Sequence, residues 1–97
     1  MPKAYWIATY KSIADPTALA EYGKLAGPAL LAAGGKFVVR GMPSKTFEGG
    51  LNQRTVVIEF ESVEKAVAAY DSPDYRTAHK LIEGKMERDI RIVEGVA

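Results

Sequence analysis

Arg54-Thr55-Val56-Val57-Ile58-Glu59-Phe60 is the most strand-like run of this chain, since β-branched and aromatic residues fill most of it. Side chains alternate along a strand, so the even-numbered residues share one face and the odd-numbered residues share the other. Both faces are largely apolar, with Arg54 on the even face and Glu59 on the odd face. This pattern indicates a central strand in a sheet that is covered on both sides. We expect helices to cover one face and a second copy of the chain to cover the other.

The composition limits the protein classes that need to be considered. A chain of 97 residues predicts one domain, residues 1–97, with a core that needs no disulfides. Cysteine is absent and the formal net charge is +1, so we expect no thiolate chemistry and no nucleic-acid partner. The N-terminus lacks the pattern of a signal peptide, and no apolar run approaches the ~20 residues that cross a bilayer. We therefore expect a cytoplasmic protein with no membrane partner.

Periodicity along the chain predicts six main elements. Strands are expected at 4–11, 36–41, 54–60 and 87–94, and 45–48 is expected to continue the second strand beyond a bend at Pro43. Helical spacing predicts one helix from Pro16 towards Gly34 and a second helical region from Ser62 to Gly84. This order is typical of an α+β protein with the ferredoxin-like split βαββαβ plan, an antiparallel sheet with both helical regions on one face.

Local residues predict where the helices begin and break. Asp15 is expected to cap the first helix, with Pro16 at its first position. Pro28 is expected to kink or restart that helix, because proline removes a backbone donor and crowds the preceding turn. Ser62 is a second expected cap, and Ser72 before Pro73 predicts a break and restart in the second region.

Several segments together resemble a family labelled domain of unknown function 1330, part of the dimeric α/β-barrel superfamily. This resemblance implies a homodimer whose two sheets pack face to face into a barrel. The superfamily includes cofactor-independent monooxygenases, haem-degrading enzymes, muconolactone isomerases and dye-decolorising peroxidases, whereas the resembled family has no assigned reaction, and fold analogy alone does not supply one. The matching segments are Ala4-Tyr5-Trp6-Ile7-Ala8, Gly34 to Gly41, Phe47-Glu48-Gly49, Arg54 to Phe60, Tyr70 to Tyr75, and Arg88-Asp89.

Four charged residues lie inside otherwise apolar strands, where an unpaired charge is costly to bury: Arg40, Arg54, Glu59 and Arg91. Alternation places Glu59 and Arg91 on the face away from the helices, and Arg40 is expected to join them. In a functional interpretation, an arginine binds a carboxylate or enolate and Glu59 moves a proton. The alternative is a structural salt bridge that sets the register of the dimer.

His79 is the only histidine, and it lies one helical turn from Tyr75 and Ile82. An imidazole titrates near neutrality, so His79 is a candidate general base. The alternative is a partly exposed helix residue with no chemical role. A single histidine without clustered carboxylates matches no usual ligand spacing, so we expect no metal.

Six aromatic residues recur at strand or helix spacing, which is usually a property of core residues. They could instead stack on a flat aromatic ligand or on haem. Tyr70 and Tyr75 flank the expected helix break, where a pocket could open beside the sheet. The six residues are Tyr5, Trp6, Tyr10, Tyr22, Tyr70 and Tyr75.

The sequence thus predicts a homodimer, formed through the sheet face, that binds a small organic acid or aromatic in a cavity by the sheet, without a cofactor. One alternative is an enzyme of the cofactor-independent monooxygenase or isomerase type, and another is a purely structural dimer. The candidate catalytic residues are Glu59, His79 and Arg40. The candidate substrate-binding residues are Arg40, Arg54, Tyr5, Tyr70 and Tyr75.

Overall fold

A computed structural model describes residues 2–96 and contains one four-stranded sheet with three helices. The strand order is β2-β3-β1-β4, and each neighbouring pair is antiparallel. The predicted ferredoxin-like plan is therefore confirmed, and the sheet of the single chain is open, with β2 and β4 at its edges. The elements are β1 Ala4–Ile13, α1 Pro16–Ala32, β2 Lys36–Gly41, β3 Thr55–Phe60, α2 Val63–Asp71, α3 Pro73–His79 and β4 Met86–Glu94.

The helix starts lie where the capping residues predict them. The Asp15 carboxylate accepts a hydrogen bond from the backbone N–H of Ala18 at 3.0 Å, and Pro16 follows at the first helical position. Ser62 caps α2 in the same way. Ser72 ends α2 and caps α3, so a single serine separates the two helices.

Three sequence-based expectations about element boundaries are wrong. Helix α1 continues through Pro28, so the expected restart is wrong and the alternative of a kink stays a prediction; Pro28 is exposed, so water can reach the carbonyl that its missing N–H leaves free. Residues 45–48 form no strand, since Pro43 lacks a ladder donor and Glu48 adopts a left-handed φ of 53°. Helix α3 ends at His79, and short turns continue to Lys85.

The hydrophobic core lies between the even-numbered face of the sheet and the helices. Trp6 is fully buried there and packs against Phe60, with ring centroids 6.2 Å apart, and against the edge of Tyr75 at 5.1 Å. Ala66 and Ala69 on α2 are also buried. Their small side chains let the helix approach the sheet closely, so the aromatic side chains fill the remaining space.

The odd-numbered face of the sheet, named here the open face, carries apolar side chains that no element of the chain covers. Ile7 on β1 and Val57 on β3 are half-buried at its centre, and Val39 and Val93 towards its edges remain 48% and 49% exposed. Since β1 and β3 are the two inner strands, the predicted central position of the two doubly apolar strands is confirmed.

A β-bulge in β2 reverses the expected orientation of Arg40. Phe37 pairs with Ile58, but the next pair joins Val39 to Val57, so Val38 is the extra residue. Arg40 then pairs with Val56 and shares the helix side with Phe37, over whose ring its guanidinium lies at 4.8 Å. The expectation that Arg40 faces away from the helices is therefore wrong, because simple alternation does not hold across a bulge.

Candidate functional site

The guanidinium of Arg88 lies between the sheet and the helices, among three tyrosine hydroxyls. Its Nη1 donates to the hydroxyls of Tyr10 at 3.1 Å and Tyr22 at 3.3 Å, and its Nη2 donates to Tyr75 at 2.9 Å. The hydroxyls of Tyr22 and Tyr75 are themselves hydrogen-bonded at 2.8 Å. Strands β1 and β4 and helices α1 and α3 thus each contribute one member, so packing of the fold positions the whole cluster.

The charge of this cluster has no ion-pair partner among residues 2–96. Burial raises the pKa values of Tyr10 and Tyr22, and Arg88 opposes this only in part, so both phenols stay protonated at neutral pH. Burial is the largest single influence on the pKa of Arg88 and lowers it. The three tyrosines together raise this pKa by a larger amount, so the net shift is upward from the ordinary value. No ion pair among residues 2–96 involves Arg88. The site is therefore a partly buried cation whose side-chain hydrogen-bond partners are neutral phenols.

A cavity opens beside the cluster, between α1 and the sheet, and is named here the α1 cavity. Its inner chamber has a volume of about 60 Å³, with Tyr10, Tyr22 and Arg88 at its polar end. Its outer recess, which shares Leu19 and Gly23 with the chamber, has a volume of about 500 Å³. The remaining walls of the chamber are mostly apolar and include Trp6, Ala26, Leu30, Phe37 and Ile58.

Arg40 and Arg54 line both parts of the α1 cavity and mark its entrance. Lys24 adds a third cationic side chain to the outer recess, and the described residues that line the recess include no Asp or Glu. Arg54 lies on the helix side, as alternation predicts from Val56. A cationic entrance of this kind favours anionic ligands by raising their local concentration.

A second depression, named here the edge cleft, lies along β4 on the helix side. Its volume is about 810 Å³, and His79 and Tyr70 line it on the side of the helices. Arg88 lines both the edge cleft and the inner chamber, so its side chain lies in the wall between them. His79 therefore does not line the α1 cavity, although it is on the same side of the sheet.

The imidazole of His79 has a pKa below its ordinary value of 6.5, because burial disfavours the charged form and Arg76 and Arg88 repel it. Glu83 acts in the opposite direction, with its Oε1 3.5 Å from Nδ1. The folded state thus binds fewer protons than the unfolded state as the pH falls through 6.5, and the free energy of unfolding decreases over that window. At neutral pH His79 is an uncharged proton acceptor.

We expect the NMR titration of the single imidazole of the chain to give a midpoint below 6.5. In a Glu83→Gln variant the midpoint should fall further, because the one nearby carboxylate is removed. Lys80→Gln, a change of an exposed neighbour on the same turn, is the control for general surface charge. A wild-type midpoint at or above 6.5 would contradict the arrangement of charges described here.

Glu59 and Tyr5 lie on the open face, on the opposite side of the sheet from the α1 cavity. The Glu59 carboxylate accepts hydrogen bonds from the Lys3 ammonium at 3.2 Å and the Tyr5 hydroxyl at 3.1 Å. The hydrogen bond from Lys3, with the Tyr5 hydroxyl in addition, holds the pKa of Glu59 below its ordinary value. Glu59 is thus an ionised, engaged carboxylate that cannot reach a ligand bound on the helix side.

The structure therefore divides the candidate residues between two surfaces. Glu59 and Tyr5 belong to the open face, and Arg91 on the same face lies 3.4 Å from Asp89 and not beside Glu59. Arg40 therefore does not join Glu59 and Arg91 on the open face, and an ion-pair cluster of the other two between two sheets stays a prediction. The candidates on the helix side are Arg40, Arg54, Tyr70, Tyr75 and His79.

Arg88 is the site residue that the sequence-based interpretation did not identify. It shares the even face of β4 with Ile90 and Ile92, so a charge on an otherwise apolar face was visible in the sequence. Tyr10 and Tyr22 were assigned to the core, where they do lie. The assignment to the core took no account of their hydroxyl groups. A buried hydroxyl needs a polar partner, and Arg88 is that partner here.

Side chains that could bind a metal ion do not form a cluster among residues 2–96. Between residues 2 and 96, no three His, Asp or Glu side chains are arranged to hold a metal ion. Within the same range, no helix is long and apolar enough to cross a membrane.

The fold and the cavity between sheet and helices define a ferredoxin-like protein. The sequence profile of the family described as Domain of unknown function (DUF1330) matches residues 3–96. The chain belongs to this family, and the resemblance noted from its sequence is confirmed. No curated protein matches the chain.

Solved structures with the same fold are similar to the chain at low sequence identity. A protein of unknown function from Rhodopseudomonas palustris has a TM-score of 0.75 and 20% identity, with 99% of this chain and 84% of that chain covered. A proposed antibiotic biosynthesis monooxygenase from Nitrosomonas europaea has a TM-score of 0.64 and 13% identity, with 99% and 93% covered. A protein from Thermobifida fusca, described as dimeric and ferredoxin-like, has a TM-score of 0.56 and 18% identity, with 96% and 91% covered.

Proposed function

We propose that the protein binds a small organic acid in the α1 cavity, with the carboxylate of the ligand held by Arg88. The observation that carries this proposal is a partly buried guanidinium whose side-chain hydrogen-bond partners among residues 2–96 are three neutral phenols. Taking a cation out of water without a counter-ion is costly, so an uncompensated one favours an anionic ligand. A carboxylate supplies the missing charge and accepts hydrogen bonds in the planar geometry of a guanidinium.

The hydrogen-bond inventory of the cluster supports an acceptor-rich ligand. The hydrogen bonds of Arg88 within residues 2–96 use Nη1 and Nη2 only, and Nε–H remains available as a further donor. Each phenol carries one proton, and the bond between Tyr22 and Tyr75 uses only one of them. The cluster thus offers donors and no charged acceptor, which matches a carboxylate or an enolate.

The walls of the cavity define the rest of the ligand. Trp6, Phe37 and Ile58 present apolar surface to the chamber, and Arg40 and Arg54 attract an anion towards its entrance. The chamber of about 60 Å³ has room for the carboxylate end, and the body of the ligand would extend into the outer recess of about 500 Å³.

Isothermal titration calorimetry with benzoate, and with neutral benzamide as a matched control, tests this function. Benzoate should bind measurably at neutral pH and low salt, and benzamide should bind at least about 10-fold more weakly, because it lacks the charge that Arg88 requires. Equal binding of the two probes, or binding of neither benzoate nor a shorter acid such as propionate, would contradict the proposal.

The proposed assembly is a homodimer formed through the open face. Uncovered apolar side chains of Ile7, Val39 and Val57 support it, because such a patch commonly marks a protein interface. Lys36 and Glu59 sit opposite one another near its rim. The relative from Thermobifida fusca is described as dimeric.

Val57→Glu is expected to weaken this dimer by at least about 100-fold, because it buries an unpaired carboxylate in an apolar interface. Sedimentation velocity of the two proteins at the same concentration measures the effect. Val67→Glu on α2, where the valine is 45% exposed on the helix layer, is the matched control and should sediment as the wild type does. A wild-type monomer, or an unchanged Val57→Glu dimer, would contradict the proposed interface.

An enzyme of the monooxygenase or isomerase type is the second candidate. The observation that favours it is the Arg88–tyrosine cluster, whose donors could stabilise an enolate or phenolate formed during a reaction. The name of the Nitrosomonas europaea relative agrees with this class. Oxygen uptake with catechol as the probe, compared between the wild type and heat-denatured protein, separates an oxidising enzyme from a binding protein.

A further inference from the structure

No strand of the described residues, 2–96, pairs with the outer edge of β4. Strand β4 runs from Met86 to Glu94, and β1 occupies only its inner side. As the last strand of the sheet order, it presents a row of free backbone N–H and C=O groups along its outer side, to which another strand could add.

The edge cleft lies beside this row on the helix side. Met86, Ile90 and Ile92 project into it from β4, and Ile82 lines it from the turn after α3. Its volume of about 810 Å³ is large enough to hold several side chains. A strand added to β4 would direct every second side chain into this cleft, because side chains alternate along a strand.

We propose that β4 pairs antiparallel with β4 of a second copy of this chain, about a two-fold axis that passes through Ile90. Charge complementarity supports this occupant. In this register Asp89 lies opposite Arg91 of the second copy, and the symmetry of the pair repeats the contact on the other side. Directly opposed residues of opposite charge stabilise a sheet, and like charges destabilise it.

Neighbouring registers fail the same test. A two-fold axis perpendicular to the sheet requires one residue of β4 to lie opposite itself. An axis through residue 89 pairs Glu87 with Arg91 but opposes two aspartates, and an axis through residue 91 opposes two arginines, so of these three registers only the one through Ile90 has attractive pairs without a like-charge contact. The axis through Ile90 instead pairs isoleucine with isoleucine at the centre, in the apolar part of the cleft.

The two charged side chains are available for this contact. Arg91 is 74% exposed, and its Nε lies 3.4 Å from the Asp89 carboxylate of its own chain. Asp89 also accepts a hydrogen bond from Thr9 at 3.1 Å, which holds it in place. Two such pairs from two copies form a four-charge network. This interface uses the outer edge of β4 and does not rest on the proposed ligand, although the side chains of Asp89 and Arg91 lie at the margin of the open face.

Disulfide cross-linking tests the register directly, because the chain contains no cysteine. The Cα atoms of opposed residues in an antiparallel pair are about 4.5–5.5 Å apart, within the range of a disulfide. Ile90→Cys is therefore expected to form covalent dimers under mild oxidation at least about 10-fold faster than Val67→Cys, an exposed site on α2. Equal rates for the two variants would overturn the proposal.

Charge exchange supplies the second test, in the Ile90→Cys background. Asp89→Arg alone should slow cross-linking at least about 10-fold, because it opposes two arginines, and Arg91→Asp alone should do the same by opposing two aspartates. The double variant restores both attractive pairs and should recover most of the rate. Cross-linking rates that are unchanged in the two single variants would overturn the register. So would a double variant that has a native circular dichroism spectrum but does not recover the rate.

Discussion

Arg88→Met is expected to weaken benzoate binding by at least about 30-fold, because it removes the only charged member of the Arg88–tyrosine cluster. Truncating one side of an enclosed charged contact costs about 2–5 kcal/mol, and each 1.4 kcal/mol is about a factor of ten in affinity. Methionine has a similar length and no charge, so the shape of the chamber changes little. Calorimetry on the two proteins under the same buffer and salt measures the loss.

Arg88→Met should not destabilise the ligand-free protein, although it weakens ligand binding. The wild type holds a partly buried cation with no ion pair among residues 2–96, so replacement by an apolar side chain is expected to leave the melting temperature unchanged or to raise it. Arg91→Met, on the open face of the same strand, is the matched control and should keep the wild-type affinity for benzoate. Retained binding in Arg88→Met, or equal loss in both variants, would contradict the assignment of the site.

Gly35→Ala is expected to lower the free energy of unfolding by about 3 kcal/mol, at the upper end of typical overpacking effects. A Cβ at this position would lie 2.8 Å from Ile58 Cγ2 and 2.9 Å from both the Leu30 carbonyl oxygen and Phe60 Cζ. One of these contacts is backbone and the other two belong to fully buried side chains, so none can move without disturbing the core. For a domain of this size the melting temperature should fall by about 10–20 °C.

Gly41→Ala is the matched control for that experiment. Gly41 is the last residue of β2, and Gly35 directly precedes the first. A Cβ at Gly41 would meet nothing within 4 Å. Its melting temperature should stay within a few degrees of the wild type or rise, because alanine restricts the unfolded chain. Equal changes in the two variants, measured by thermal unfolding, would show that Gly35 is not a point of close packing.

Much of the fold could be predicted from side-chain periodicity and capping residues. The doubly apolar pattern of β1 and β3 correctly indicated the inner strands, because only inner strands bury both faces. Asp15, Ser62 and Ser72 marked the helix starts correctly. These features depend on neighbours in the chain or on alternation alone, which a sequence contains in full.

The candidate site was predictable only in part, because its geometry depends on contacts between distant residues. Arg54, directly before β3, lies at the cavity, on the face that alternation with Val56 assigned to it. Arg40 also lies at the cavity, but only because of a β-bulge that no residue of β2 predicts. Arg88 meets tyrosines that are 13, 66 and 78 positions away in the chain. Periodicity places each of these side chains on a face, but it does not show that they meet.

The bulge at Val38 suggests how relatives of this protein could diversify. It lies in an edge strand, where an insertion or deletion leaves the inner strands in place. Deletion of one residue there would remove the bulge and reverse which face the following side chains share. Arg40 would then lie on the open face of the sheet. The ionic selectivity of the entrance can thus evolve through strand length, separately from the residues that stabilise the fold.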